Sequence, residues 1–291
     1  MLINLFLMMG SFANFIFLNT FKHIFLFYFM AIKFGPSGFG GVKEAIFNLE
    51  EYHKLGLSAC EIAFTYGPYI KSEEDARAIG KAAERLGIKL SIHAPYWINL
   101  NSSESEKIEK SKERILACCK VGTWLGAYIV VFHPGYYSDD KEETFQNIKK
   151  AILEVMEESK KKGYTPKLAP ETMGKVNVFG SVEEIARLVD ETGCEMCIDF
   201  AHILARDKEY HFDEVLKMFE KKDVLHIHFS GIEYGELGEK KHKKTTEDEL
   251  RALIEHLPRD KEFVIVNESP DPVEDSVLGL NIYSNIDSKV Q

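Results

Sequence analysis

From Ile32 onward the chain alternates short, mostly apolar runs with amphipathic stretches, and it does so eight times. The runs are IKFGPS, CEIAFT, KLSIHAPY, YIVVFHPG, KLAPET, MCIDFAH, LHIHFSG and FVIVNES, each of strand length. Between them, residues 72–86, 104–125, 141–162, 181–192, 211–222 and 246–257 repeat apolar positions at the helical period, with Glu, Lys, Ala and Leu abundant. The segment SVEEIARLVDETG shows the boundary chemistry: Ser181 caps the helix with Glu184 three residues on, and Gly193 ends it. Strands alternating with helices predict a parallel sheet. Eight such units in roughly 250 residues predict an α/β fold of the closed (β/α)8 TIM barrel type. An open doubly wound sheet is the competing arrangement, but no run is followed by a GxGxxG loop.

Residues 1–30, MLINLFLMMGSFANFIFLNTFKHIFLFYFM, depart from this pattern. Asn14, Asn19, Lys22 and His23 interrupt the apolar run, which leaves no unbroken span of the ~20 residues needed to cross a bilayer. A basic n-region and a small-residue cleavage site are also missing, so a secretory signal does not fit. Met30 stands just before AIKFGPSG, where the first strand begins. The expected organisation is an N-terminal extension over 1–30 and a barrel over 31–291. The extension reads as a start-site artefact or a disordered prefix, with a membrane anchor as the competing reading.

In a barrel the chemistry sits at the C-terminal ends of the strands. Read in order, those ends carry His93, His133, Glu171, Asp199 with His202, His228 and Glu268. One histidine at a strand end is an ordinary structural residue. Six consecutive strands that each finish on a metal-competent side chain point instead to a metal site at that pole. Imidazoles and carboxylates without cysteine suit Zn²⁺ first, with Mn²⁺ or Fe²⁺ as other choices, rather than the all-oxygen shell of Ca²⁺. Three carboxylates and at least four imidazoles exceed what one tetrahedral ion uses, so a cluster with a bridging carboxylate is expected. Such clusters suit phosphoryl chemistry, in which several cations steady the attacking and leaving oxygens.

Composition refines this picture. With 291 residues, 45% of them hydrophobic, the chain can bury a large core. Its net charge of -10 argues against a general basic coat for nucleic acid and leaves phosphate binding to local patches. EKKHKK, residues 239–244, is one such patch, with Lys240, Lys241, Lys243 and Lys244 around His242 in the loop after the seventh strand. Lys240 and Lys241 are the candidates to grip DNA phosphates. Five cysteines, an odd number without paired CxxC spacing, predict a reducing, cytoplasmic setting, and Cys194 and Cys197 read as core residues.

The segments HAPYWINL, FHPG, ETMG, CIDFAH, HIHFSG and VNES, in this order, resemble the endonuclease IV family of apurinic/apyrimidinic endonucleases, from about Ile32 to Ser284. HAPYWINL and CIDFAH are the most specific pieces. The resemblance implies a zinc-dependent nuclease of base excision repair that cuts duplex DNA on the 5′ side of an abasic site and leaves a 3′-hydroxyl. It implies two to three zinc ions, with Mn²⁺ as an alternative. His93, His133 and Glu171 hold one; Glu171 bridges to a second held by Asp199, His228 and Glu268; His202 and His242 serve a third. Glu171 and Glu268 are then the catalytic carboxylates, and Tyr96 matches a residue that enters the DNA near the lesion. A monomer with no obligatory protein partner and no membrane partner is expected.

The chain departs from the family at the third ion, where Lys240 stands in place of the Asp of an Asp-x-His pair. Either Glu239 substitutes, if the loop is shifted by one residue, or Lys240 supplies a positive charge that partly replaces the ion. The second alternative expects Lys240→Asp to raise zinc stoichiometry. FSG also follows His228 where Asn-Asp is common, and the segment at Glu171 is shorter. Two other classes compete with the nuclease. Glu171, Asp199, His228 and Glu268 also resemble the quartet of sugar isomerases and epimerases of the xylose-isomerase-like superfamily, in which one divalent cation polarises a ketose. His93, His133, His202 and His242 discriminate, because an isomerase has little use for them all. A non-catalytic binding barrel is the third class, and the intact ligand set argues against it. His226 shares a face with His228 and reads as a supporting or packed residue, not a ligand. Tyr66, Pro68 and Tyr69 read as a DNA-facing loop or an aromatic rim.

Overall fold

The computed structural model describes residues 32–288, so the readings of 1–30 lie outside the described residues. Ten strands follow in chain order: β1 (Ile32–Pro36), β2 (Ala59–Ala63), β3 (Lys89–His93), β4 (Ile129–Phe132), β5 (Lys167–Pro170), β6 (Cys197–Asp199), β7 (Val224–Phe229), β8 (Gly231–Gly235), β9 (Gly238–Lys243) and β10 (Glu262–Asn267). All but β8 and β9 pair in parallel, in two four-stranded sheets ordered β1-β10-β7-β6 and β2-β3-β4-β5. Single parallel bridges, Ser37 to Glu61 and Glu171 to Cys197, carry the pairing across the two seams and close the ring. The expected TIM barrel is therefore present. At the β1–β2 seam a Cβ on Gly35 would lie 1.7 Å from the Ala59 carbonyl oxygen, so only glycine lets the strands approach.

Helices α1 (Ala45–Lys54), α2 (Glu73–Leu86), α3 (Ser105–Leu125), α4 (Lys141–Lys161), α5 (Val182–Thr192), α6 (Phe200–Asp207), α7 (Phe212–Met218), α8 (Glu247–His256) and α9 (Pro272–Asp287) complete the described residues. The boundary expected for α5 holds: Ser181 and Glu184 form a reciprocal capping box, and Gly193 closes the helix in the left-handed region at φ 74°. Two expectations need correction. MCIDFAH is strand only to Asp199, because the Asp199 carboxylate accepts the His202 amide (2.8 Å) and starts α6 there. The segment after the seventh strand is an antiparallel hairpin of β8 and β9 rather than an open loop.

Strand alternation sorts the core into two compartments. Phe34, Cys60, Ile62, Leu90, Ile92, Val130, Phe132, Leu168, Ile198, Leu225, Ile227, Phe263 and Ile265 face the helices in one large apolar cluster. Ile129, Val131, Ala169 and Cys197 form a separate small cluster inside the barrel. Two residues beyond each interior position stands a candidate ligand: Ser91 precedes His93, Val131 precedes His133, Ala169 precedes Glu171, Cys197 precedes Asp199 and His226 precedes His228. The period of two therefore delivers the polar side chains to one end of one channel.

Candidate metal centre

Glu171, just past β5, is wholly buried at the centre of the site. Its Oε2 lies 3.0 Å from His93 Nε2 and 3.2 Å from His133 Nε2, and its Oε1 lies 3.3 Å from both His202 Nδ1 and His228 Nδ1. Glu268 Oε2 approaches His228 Nδ1 at 3.4 Å. Donor atoms converge within 4.8 Å in three groups that matter here: His93–His133–Glu171, Glu171–Asp199–His228–Glu268, and His202–Glu239–His242. All eight ligands expected from the sequence thus meet at one pole, and Glu171 belongs to two groups.

Hydrogen bonds aim several of these rings. His93 Nδ1 lies 2.8 Å from the Ala94 carbonyl and His202 Nδ1 2.9 Å from the Thr172 carbonyl. A carbonyl only accepts, so Nδ1 carries the proton in both and Nε2 is left to face a cation. Ser230 Oγ stands 2.6 Å from His242 Nδ1 and fixes that ring.

The charges are mutually dependent. Burial pushes the Glu171 carboxyl up, but His228 and His133 beside it hold it well below the usual carboxylate range. Burial likewise opposes ionisation of Glu268, which His228 outweighs to set it at about 2. Burial lowers His93, and the Glu171 carboxylate more than reverses this, raising it to about 9. Asp199 goes the other way, to about 6, because burial dominates the attraction of His202. Its Oδ2 is buried without a hydrogen-bond donor. His202 Nδ1 is 3.3 Å away but not aligned with it, and a buried carboxylate oxygen without a hydrogen bond is costly. Set among imidazoles and two further carboxylates, it fits a divalent cation, and the donor chemistry fits zinc or manganese.

The third group depends on the hairpin. Gly238, at φ 95°, lets β9 come so close that an added Cβ would lie 2.0 Å from the Gly174 carbonyl oxygen, and the Glu239 amide bonds that same oxygen at 3.1 Å. Glu239 Oε2 then reaches to 3.5 Å from His202 Nε2, and its Oε1 to 4.0 Å from His242 Nε2. Residues 239 and 242 would face opposite sides of a regular strand. The register shifts here, Glu233 pairing with Lys241 but Tyr234 with Glu239, so Lys240 is an unpaired bulge residue that brings Glu239 and His242 onto one face. This corrects the expectation that Lys240 places its charge at the third ion. Its side chain is exposed and folds along Gly235, and Glu239 is the residue that stands with His202 and His242.

Around the mouth, Tyr96 is 57% exposed with its ring 6.0 Å from His93 and 5.6 Å from His133, and Tyr66 and Trp97 stand 5.9 Å apart beside it. Lys240, Lys241 and Lys243 form no ion pair among the described residues, whereas Lys244 binds Glu274 at 3.0 Å. Two residues lie outside the strand-end pattern. Glu239 enters it only as an alternative to Lys240, and Glu61 does not enter it at all. The signal for Glu61 is a charged residue in the middle of the apolar run CEIAF, in the interior-facing phase of its strand.

A family model described as xylose isomerase-like TIM barrel matches residues 49–275. The chain belongs to this family. Its relatives include uncharacterized protein MJ0133 of Methanocaldococcus jannaschii, 36% identical over 272 residues that cover 87% of this chain and 97% of that one. An apurinic-apyrimidinic endonuclease of Caenorhabditis elegans is 30% identical over 204 residues, 65% of this chain but only 50% of that protein. Among solved structures with the family's fold, SacUVDE aligns with a TM-score of 0.71 at 18% identity, covering 84% of this chain and 86% of that one. Endonuclease IV from Thermus thermophilus aligns at 0.65 and 24% identity, covering 89% and 99%. The 3-keto-D-glucoside 4-epimerase YcjR from E. coli aligns at 0.64 and 12% identity, covering 88% and 99%. The expected kinship with endonuclease IV is borne out, and the family fold also houses epimerases. No helix among the described residues is long and apolar enough to cross a membrane.

Proposed function

We propose that this chain is a metal-dependent phosphodiesterase of damaged duplex DNA that cuts 5′ to an abasic site and leaves a 3′-hydroxyl. One observation carries the reading: histidines beyond the sugar-isomerase quartet join the same cluster, His93 and His133 on Glu171, His202 and His242 on Glu239. An isomerase or epimerase works one cation with Glu171, Asp199, His228 and Glu268 and has no use for two further ligand groups. The relative named as an apurinic-apyrimidinic endonuclease supports the same reading. Two to three zinc ions, or manganese in their place, would be held by the three groups. When bound, such ions activate water and stabilise charge on the attacking and leaving oxygens of the phosphate.

The chain's own residues supply position. Glu171 and Glu268 are ionised at neutral pH, so both act as ligands rather than proton donors. Tyr96, over His93 and His133, offers a ring to a displaced nucleotide. An abasic nucleotide has no base to unpair and leaves the stack at low cost. Lys240 and Lys241 on the hairpin provide a grip on phosphates that is blind to sequence.

The test uses protein stripped of metal, reloaded with Zn²⁺ or Mn²⁺, and mixed with a labelled duplex carrying one abasic analogue. Incision 5′ to the lesion, abolished in Glu171→Gln, is the expected result. No incision with Zn²⁺, Mn²⁺ or Mg²⁺, together with metal-dependent epimerisation of a ketohexose, overturns it in favour of the isomerase reading that the quartet alone supports.

A further inference from the structure

Beneath the metal centre, inside the barrel, lies a carboxylate that belongs to none of the candidate ligand groups. Glu61 on β2 is fully buried, and three donors converge on it. Ser91 Oγ lies 2.8 Å and His226 Nε2 3.1 Å from Oε2, and His228 Nε2 lies 2.9 Å from Oε1. This last approach is short but off the hydrogen-bond axis, so Oε1 has no aligned donor. On the far side of His226, Nδ1 lies 2.5 Å from the Tyr128 hydroxyl.

Proton bookkeeping gives these contacts one direction. A carboxylate only accepts, so Ser91 and His226 each turn a proton toward Oε2, while the nitrogen that faces Oε1 is His228 Nε2. His226, with its proton on Nε2, accepts from Tyr128 at Nδ1. His228 presents Nε2 to Glu61 and Nδ1 to Glu171 Oε1 (3.3 Å, a hydrogen bond in the metal-free site) and Glu268 Oε2 (3.4 Å), so a cation taken up by Nδ1 would displace the proton there and leave the remaining one on Nε2. His93 and His202 are the other way round, their Nδ1 protons donated to carbonyls and Nε2 facing the centre.

We infer that Glu61 is a positioning residue that holds His228 with its proton on Nε2, so that Nδ1 is the atom offered to the metal. The inference rests on the metal-cluster reading above. Glutamine cannot replace Glu61, because its amide has one acceptor oxygen and turns N–H groups toward an imidazole N–H that also needs an acceptor. In the metal-free site His226 Nε2 also lies within hydrogen-bond reach of His228 Nε2, at 3.3 Å, so the two rings and Glu61 form one connected group.

The experiment uses the full chain, labelled with ¹⁵N-histidine and loaded with zinc, and reads the ring nitrogens by long-range proton–nitrogen correlation. His228 is expected to bind through Nδ1 and carry its proton on Nε2. In Glu61→Gln that pattern is expected to be lost, with zinc affinity measured by chelator competition falling roughly 10- to 100-fold. Ser91→Ala, which keeps the carboxylate, is expected to retain the pattern. Zinc bound through His228 Nε2 in the unaltered protein overturns the assignment even if Glu61→Gln fails to fold. Unchanged affinity in a folded Glu61→Gln overturns it as well. So does a thiolate-to-metal charge-transfer band in the cobalt-loaded protein, which would put a cation on Cys197 beside His226 and His228. Absence of zinc binding by the unaltered protein would remove the cluster reading itself, a different and recognisable failure.

Discussion

The bulge at Lys240 makes the sharpest prediction. Structural zinc held by four protein ligands is worth about 10–16 kcal/mol, so one ligand contributes roughly 3 kcal/mol, about a hundredfold in affinity. Glu239→Ala removes one of the three donors in the His202–Glu239–His242 group and should weaken that ion by this amount, leaving the Glu171-centred ions in place. Lys240→Asp should leave metal content unchanged, because the side chain at 240 points along Gly235 and away from the ligands. Deleting Lys240 is the discriminating case. It removes the bulge and leaves Glu239 and His242 two positions apart, still on one face of a regular strand, so the third ion should survive. Metal content by mass spectrometry after dialysis, with competition titration for affinity, reads all three variants. An extra ion in Lys240→Asp, or no loss in Glu239→Ala, would refute the bulge argument.

Two further outcomes follow from the same geometry. His93 titrates at about 9 when folded against 6.5 ordinarily, so its stabilisation of the metal-free protein is complete below about pH 6.5 and disappears as pH rises through 9. Urea unfolding in chelator should show a decline of at most roughly 3 kcal/mol over that window, whereas zinc affinity should rise as the competing proton leaves; a flat profile in chelator would count against it. Gly35→Ala drives a Cβ into the Ala59 carbonyl and should cost at least about 3 kcal/mol, read as a fall in melting temperature of roughly 6–12 °C, and an unchanged melting curve would show that the seam yields.

The eightfold alternation and the strand ends are legible in the sequence because both follow from a period of two that starts at the helix-facing core. The ligands fall in phase with Ser91, Val131, Ala169, Cys197 and His226, so periodicity and chemistry agree along each strand. Glu61 obeys the same phase but lies mid-strand, and attention to strand ends passes over it. CIDFAH reads as strand through His202 because it is largely apolar, although Asp199 three residues before that histidine is a helix cap in waiting. The hairpin has a signal in the short turn Glu236–Leu237 between Gly235 and Gly238. The bulge has none. Where an extra residue is accommodated depends on how β9 docks against Gly174, a contact between segments far apart in sequence.

The seams of the barrel give the cluster a mechanical meaning. His93, His133 and Glu171 belong to the half built from β2 to β5, and Asp199, His228 and Glu268 to the half built from β6, β7, β10 and β1. Between the halves, the β5–β6 line is crossed by the amides of Thr172 and Glu195 reaching the carbonyls of Cys197 and Leu168, by the Thr172 hydroxyl on the backbone of Asp199, and by the Lys167–Glu195 ion pair. A cation shared by Glu171 and Asp199 would act as a rivet through one of the two lines along which the sheet pairing is thinnest. Chelation would then do more than remove a reagent: it would take away a cross-link between the two half-barrels.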